Sequence, residues 1–258
     1  MSVFAIADLH LSADGSKSME VFGHRWAGYR EKLEQNWRAR VKDGDTVVLP
    51  GDLSWALKLE ESADDLKFLD SLPGKKFIGK GNHDFWWSTA TKMQELFARE
   101  KITSISLLYN NAHRVENMIL CGSRGWFLDE GQQNTVGEVE YEKILNRELI
   151  RLGMSLDEAK KLQAETPELP LVAFLHFPPV FGGFLCRQIV DLLHKYEVKT
   201  CYFGHIHGLY GIPKTTVFEG ISFTLISADF LKFTPELVKV DFPIDKALQN
   251  LEKPLTKS

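Results

Sequence analysis

Five places in this sequence put carboxylate, imidazole or carboxamide side chains just beyond an apolar run. Val3-Phe-Ala-Ile-Ala7 ends in Asp8-Leu9-His10, Thr46-Val-Val-Leu-Pro50 ends in Gly51-Asp52, and Lys76-Phe-Ile-Gly-Lys80 leads into Gly81-Asn82-His83-Asp84. Leu171-Val-Ala-Phe-Leu175 ends in His176-Phe177-Pro178-Pro179, and Cys201-Tyr-Phe203 ends in Gly204-His205-Ile206-His207-Gly208. Asp8 and His10 are two apart, as are His205 and His207. At an extended strand end, residues i and i+2 point the same way, so each pair could serve one centre. Carboxylate, imidazole and carboxamide oxygen all ligate borderline divalent metals. An aspartate can also bridge two ions, which in two-metal sites stand roughly 3.5–4 Å apart.

Taken singly, each of these residues has an ordinary explanation. An Asp at a strand end is usually a turn or cap residue, and Asn after Gly is a routine turn. His176 before Phe-Pro-Pro could simply open a proline loop. Taken together that account is poor, because five of the eight histidines occupy such junctions. His24, His113 and His194 do not, and read as surface or helix residues.

The elements that must hold these junctions are legible from periodicity. Apolar runs at 3–7, 46–49, 76–78, 102–108, 118–121, 171–175 and 200–203 read as strands, with β-rich runs at 215–218, 221–227 and 237–242. Helical spacing marks 25–42 (Trp26, Tyr29, Leu33, Trp37, Val41), 56–71, 88–99 and 184–196. Residues 136–165 form a charged helical block. Thr135-Val-Gly-Glu138 and Ser155-Leu-Asp-Glu158 both read as capping boxes, so two helices broken near Gly153 are expected. This block is the candidate for an insertion or lid, although a helix pair packed on a sheet is the plainer expectation. The last fifteen or so residues are polar and read as a frayed end. No interdomain linker stands out, so one domain over 1–258 is expected. Ligand sites of α/β sheets lie beyond the carboxyl ends of the strands, so strands lying side by side would bring the five clusters to one edge.

Composition narrows the class. The chain has 258 residues, 44% of them apolar, enough for a substantial core in one α/β domain. The net charge of −4 and the lack of a basic run give no nucleic-acid signal. Three cysteines, Cys121, Cys186 and Cys201, with no CxxC pattern, argue against a disulfide framework or a cysteine zinc site and suit a reducing cytoplasm. The N-terminal apolar run is too short and lacks the flanking charge of a signal peptide, and no run approaches a membrane span.

The ordered set DLH, GD, GNHD, a lone His and GHIH resembles the calcineurin-like metallophosphoesterase superfamily, whose pattern runs D-x-H, GD, GNH[DE], His, GHxH. The motifs span Asp8 to His207, about four-fifths of the chain. The resemblance is to bacterial phosphohydrolases of this superfamily, and PGDLSW and SRGW add to it. It implies an α/β fold, a four-layer α-β-β-α sandwich of two mixed sheets flanked by helices, the metallo-dependent phosphatase fold. It also implies two divalent metal ions, with Mn, Fe and Zn the leading candidates. By resemblance Asp8, His10 and His207 hold the first ion, Asp52 bridges, and Asn82, His176 and His205 hold the second. His83 is expected to reach the substrate phosphate and protonate the leaving group, and Asp84 to orient His83. The implied reaction is attack on phosphorus by a metal-bridging hydroxide, with His83 as general acid.

The expected substrate is a small phosphoester, a diester or a nucleotide. A phosphomonoesterase or a protein phosphatase is the alternative, and a non-catalytic metal-binding scaffold a third. Protein phosphatases continue the second motif as GDxVDRG, whereas Gly51-Asp52-Leu53-Ser54-Trp55-Ala56 stands here, without the phosphate-binding arginine. Arg124 in Ser123-Arg124-Gly125-Trp126 is a candidate replacement, the other reading being that it pairs with a surface acid. A degenerate scaffold should have lost ligands, but all seven and His83 are present. Trp55, Phe85, Trp86, Trp87, Trp126 and Phe127 sit close to the motifs. Trp55 and one of Trp86 and Trp87 are candidates for the pocket rim, where they would stack a base or line an apolar leaving-group pocket; packing helices onto the sheet is the alternative.

Overall fold

In the computed structural model, the chain alternates strands and helices as its apolar periodicity requires. The structure describes residues 1–15, 17–126 and 138–240, with the side chains of 138–140 excepted. Phe127, the Thr135–Gly137 part of the first capping box, residues 241–242 of the last expected strand and the polar C-terminal end lie outside them.

The strands are β1 (Val3–Ala5), β2 (Thr46–Leu49), β3 (Lys75–Ile78), β4 (Ile105–Leu107), β5 (His113–Val115), β6 (Met118–Ser123) and β7 (Leu171–Leu175). After these come β8 (Val180–Phe181), β9 (Phe184–Leu185), β10 (Thr200–Phe203), β11 (Thr215–Phe218), β12 (Ile221–Leu225) and β13 (Glu236–Leu237). The helices are α1 (Tyr29–Arg40), α2 (Ala63–Ser71), α3 (Ala90–Glu100), α4 (Glu138–Glu165) and α5 (Arg187–Lys195). One sheet has the order β13-β1-β2-β3-β4, and the other β11-β12-β10-β7-β6-β5. Strands β1 to β4 run parallel, as do β6, β7, β10 and β12, while β13, β5 and β11 are antiparallel edges.

The central strands are apolar on both faces because both faces are covered. Val3 and Ala5 of β1, Val48 of β2, Val172 and Phe174 of β7 and Tyr202 of β10 fill the layer between the sheets. The alternate residues face the helices. Phe4, Val47 and Leu49 pack with Leu33 and Trp37 of α1, Leu66 of α2 and Met93 of α3. Leu171, Ala173 and Cys201 pack with Leu145, Leu152 and Leu156 of α4 and Ile189 of α5. This is the expected four-layer arrangement. The sheets meet where β1 ends: Ala7 N donates to Ile226 O (2.9 Å), and Ala228 N donates to Ala7 O (2.9 Å). That crossing brings the carboxyl ends of β1 and β12 together. All three cysteines are buried and unpaired with one another.

Several helix expectations need correction: the one at 56–71 begins as an α-helix only at Ala63, and 184–185, expected in a helix, form β9. The block after residue 136 is one unbroken helix, α4, rather than two. Ser155 does not cap a new helix. Its hydroxyl donates to Asn111 O (2.6 Å) and accepts from Gly122 N (2.9 Å), tying α4 to β6. The S-x-x-E pattern fits a helix interior equally well. The penalty of about 1 kcal/mol for Gly153 in a helix is offset by burial of its neighbours Leu152 and Leu156. The helix expected at 25–42 begins only at Tyr29, because Gly28 is left-handed (φ 58°). Trp26 is therefore placed by a 3-10 turn and not by the helix.

Candidate metal centre

Each strand that carries a motif delivers it at its carboxyl end. Beyond β1 and β2 the two connections zip together: Asp8 N donates to Gly51 O (3.0 Å) and His10 N to Asp52 O (3.0 Å). Four of the candidate residues, Asp8 (φ 61°), His10 (46°), Asp52 (53°) and His205 (70°), are left-handed. Asp and His tolerate this region better than most residues, and a cluster of strained positions is typical of a functional site. Gly81 serves a different need from a left-handed turn. A Cβ there would stand 2.0 Å from Asp52 Oδ1, so glycine lets the third strand end close on the second.

The seven candidate ligands converge. Asp8, His10 and His207 offer ligand atoms within 4.8 Å of one another, and so do Asp8, Asp52 and His176. The two groups share Asp8. Asp52 Oδ2 lies 3.7 Å from His10 Nε2 and 3.5 Å from His176 Nε2, and so faces both groups. His10 Nε2 and His207 Nε2 are 3.3 Å apart. Asn82 Oδ1 is 2.6 Å from His176 Nε2 and 3.1 Å from His205 Nδ1, turned toward the second group.

Burial makes this arrangement unfavourable without a cation. It pushes the Asp8 carboxyl up to about 6. It pushes Asp52 well above the carboxylate range, helped by the charges of Asp84 and Asp8. It holds His10 and His176 well below the usual imidazole value, and brings His205 down to about 4. Asp8 Oδ1, His10 Nδ1 and His176 Nδ1 are buried without hydrogen-bond partners. Ionised carboxylates and neutral imidazoles are the forms a divalent ion selects, so this donor set fits one.

His83 stands beside the first group, its ring 5.6 Å from that of His10 and 4.6 Å from that of Trp55. Its main-chain N–H donates to Asp52 Oδ1 (2.8 Å). Asp84 departs from expectation. Its buried carboxylate accepts from the main-chain N–H groups of Asp52 (2.8 Å), Leu53 (2.9 Å), Ser54 (3.4 Å) and Gly81 (2.8 Å), and from Trp86 Nε1 (3.0 Å). The His83 imidazole is not among these partners. Asp84 thus shapes the connection that carries Asp52, because donors converging from two strand ends already occupy both of its oxygens.

The tryptophans divide. Trp55 stacks on His10 (4.8 Å, 26°) at the site. Trp86 is buried in the core as the partner of Asp84, and Trp87 packs on Trp86 and Tyr109. Neither lines the cavity at the histidines, because the turn after Asp84 directs them toward α3 and the core around it.

Arg124 is tied to the site through its main chain: its carbonyl accepts from His176 N (3.1 Å) and Phe177 N (2.9 Å). Its guanidinium lies 3.5 Å from Glu148, a buried carboxylate that Arg151 also contacts at 2.5 Å. Lys80 is close enough to feel all three groups. Burial and then the charge of Arg124 lower its pKa.

Two contributors escaped the sequence reading. Asp229, fully buried, accepts from His207 Nδ1 (2.9 Å), Gly208 N (3.0 Å) and Tyr210 Oη (3.0 Å). Burial alone would raise its pKa, but the bond from His207 and these other donors bring it below the ordinary value. It stands two residues beyond the β-rich run 221–227, so the strand-end rule applied to the other acids would have found it. Trp26 lies 5.7 Å from the His207 ring, and only the break at Gly28 explains its place. Of the three histidines set aside, His113 is a half-buried strand residue packed on Phe77, with Nε2 2.9 Å from Leu107 O. His24 is exposed and His194 lies on α5, as expected.

The family model for calcineurin-like phosphoesterases matches residues 1–209. No curated protein matches the chain. Among solved structures, the phosphopantetheinyl hydrolase of Mycobacterium tuberculosis is 15% identical, with a TM-score of 0.50 over 93% of this chain and 96% of that one. A protein of Thermus thermophilus is 14% identical, with a TM-score of 0.51 over 93% of this chain and 98% of that one. At this identity the likeness is one of fold. The two mixed sheets flanked by helices match the metallo-dependent phosphatase fold. Among the described residues no helix is long and apolar enough to cross a membrane.

Proposed function

The chain belongs to the calcineurin-like phosphoesterase family, and on that premise we propose that this metal-dependent phosphoester hydrolase cleaves a small phosphodiester or nucleotide at a centre of two divalent ions. The observation that carries the reading is the pair of ligand groups joined at Asp8, with Asp52 facing both. Asp8, His10 and His207 would hold one ion and Asn82, His176 and His205 the other, with Asp52 facing both groups. Such ions would lower the pKa of water toward neutrality and offset the charge of the transferring phosphoryl group.

This chain's own residues supply the rest. His83 gives a proton to the departing oxygen. Its main-chain bond to Asp52 fixes its distance from the bridging carboxylate. Trp55, stacked on His10, helps keep water from that side of the centre.

A second reading, a phosphomonoesterase, draws support from the three cations Lys80, Arg124 and Arg151, which outnumber the nearby carboxylates Glu148 and Asp84. That excess of positive charge suits a dianionic phosphate. The test is hydrolysis of an aryl phosphodiester and the matching monoester by manganese-loaded protein, with metal counted per chain. Activity should vanish on chelation and return with Mn²⁺, at two ions per chain. Activity that survives exhaustive chelation removes the metal mechanism, and saturation at one ion removes the dinuclear one.

A further inference from the structure

We infer that the alcohol released by this enzyme is apolar, an alkyl or alkylaryl group, and that it occupies the aromatic cavity beside the metal centre; the inference rests on the hydrolase reading above. A cavity of about 400 Å³ opens against His10, His83 and His207. Its other walls are Met19, Phe22, Trp26, Trp55, Gly208 and Tyr210. The cavity is continuous with the centre: Trp55 lies 4.6 Å from the His83 ring, and Trp26 lies 5.7 Å from that of His207. His83 lines the cavity, so the oxygen it protonates belongs to the group lodged there, which makes the occupant the leaving group.

The walls tell against a nucleobase. A base edge needs donors and acceptors, and leaving those unpaired is costly. Tyr210 Oη already donates to Asp229 (3.0 Å), and Trp55 Nε1, although it has no hydrogen-bond partner, is buried away from the surface a base edge would meet. The cations nearby lie on aromatic faces, Lys17 over Trp55 (5.0 Å) and Arg25 over Tyr210 (3.8 Å). An apolar chain has no such needs and gains from burial. The apolar surface also continues outward, since Phe22, a wall of the cavity, is 69% exposed, and the chain neighbours of its walls, Val21 and Leu209, are exposed apolar residues. A chain longer than the cavity would run onto this lip.

In the reaction, water oxygen forms the new bond to phosphorus as the phosphorus–oxygen bond to the apolar alcohol breaks. The electron pair of that bond goes to the alkoxide oxygen, which takes a proton from His83. The proton lost by the water restores His83, so the sum is ester plus water to alcohol plus phosphate.

The experiment has two arms. In the first, methyl 4-alkylphenyl phosphate diesters, from unsubstituted to 4-butyl, are hydrolysed by the manganese-loaded full chain. The leaving phenols have nearly equal acidity, so reactivity is constant and only apolar bulk varies. In the second, phenol and 4-butylphenol are titrated against the metal-free chain by tryptophan fluorescence. We expect kcat/KM to rise about fourfold per methylene, the factor equivalent to about 0.8 kcal/mol per buried CH₂. 4-Butylphenol should bind at least tenfold more tightly than phenol. Phe22→Ser, at an exposed position that folding does not need, should flatten both slopes. A flat alkyl series in both arms overturns the inference, as does a nucleoside ester preferred over the 4-butylphenyl one. If binding rises along the series but no ester is hydrolysed in a metal-dependent way, the hydrolase reading fails and takes the substrate assignment with it, while the apolar preference of the cavity stands.

Discussion

Asp229→Asn tests whether a buried carboxylate outside the ligand set controls the centre. Asp229 Oδ2 accepts from two donors, Gly208 N and Tyr210 Oη, and Oδ1 accepts from one, His207 Nδ1. An asparagine of the same shape keeps more bonds by turning its oxygen toward the two donors. Its amide NH₂ then faces His207 Nδ1, which must become the acceptor. The ring proton moves to Nε2, the nitrogen that faces His10 at 3.3 Å and belongs to the first ligand group. A protonated Nε2 cannot ligate. Loss of such an orienting partner typically lowers metal affinity about 10–100-fold, or about 1.4–2.7 kcal/mol. Calorimetric titration of the metal-free protein with Mn²⁺ should therefore show one site weakened by that factor and the other nearly unchanged. Circular dichroism should report an intact fold. Two sites of wild-type affinity in a folded Asp229→Asn protein would refute the reasoning.

Other perturbations follow from the same geometry. His83→Asn should retain both ions by elemental analysis and lose about 10²–10⁴-fold in kcat, most with poor leaving groups; loss of metal would make His83 a ligand. Gly81→Ala places a Cβ 2.0 Å from Asp52 Oδ1, so metal content and the urea midpoint should both fall, and an unchanged midpoint would mean that the loops yield freely. Lys76 is buried, with Nζ bonded to Leu72 O and Ser104 Oγ, and burial pulls its pKa from 10.5 down to about 8. Below pH 8 the native and unfolded chains both carry the charge. Above it the native chain loses the proton first, so this group adds stability as pH rises toward 10.5, by about 2 kcal/mol between pH 7.5 and 10. Lys76→Met should lack that increment in urea unfolding, and parallel pH profiles of variant and wild type would count against it.

Much of the framework was readable in the chain because its signals are local. A run such as Leu171–Leu175, apolar on successive residues and too short for a helix, reads as a strand covered on both faces, and Val172 and Phe174 do face one core while Leu171 and Ala173 face another. The polar residues that end such runs stand out in the sequence, and the resemblance to the family picked the seven candidate ligands from among them. Where local signals are ambiguous, the expectation failed. Ser155-x-x-Glu158 has the spacing of a cap, but whether it starts a helix or sits within one depends on whether Ser155 meets solvent or the Asn111 carbonyl. Trp26 fits the periodicity of the helix after it, and only the left-handed Gly28 separates them.

The sequence by itself determined the strands that carry the motifs, their polar ends and the residue types that suit divalent metal; the short strands β5, β8 and β9 it did not mark. The tertiary structure decided which partner each side chain takes. Asp84 is next to His83 in the chain but spends its carboxylate on Asp52, Leu53 and Gly81, because two strand ends close on it. Asp229 lies 22 residues from His207 and yet bonds to it, because β10 and β12 are parallel neighbours whose carboxyl ends meet. The aromatic cavity needs Phe22, Trp55 and Tyr210 from three separate connections. Strand formation follows from side chains a few residues apart. The pairing of polar groups follows from sheet order and register, which are settled only when distant segments pack.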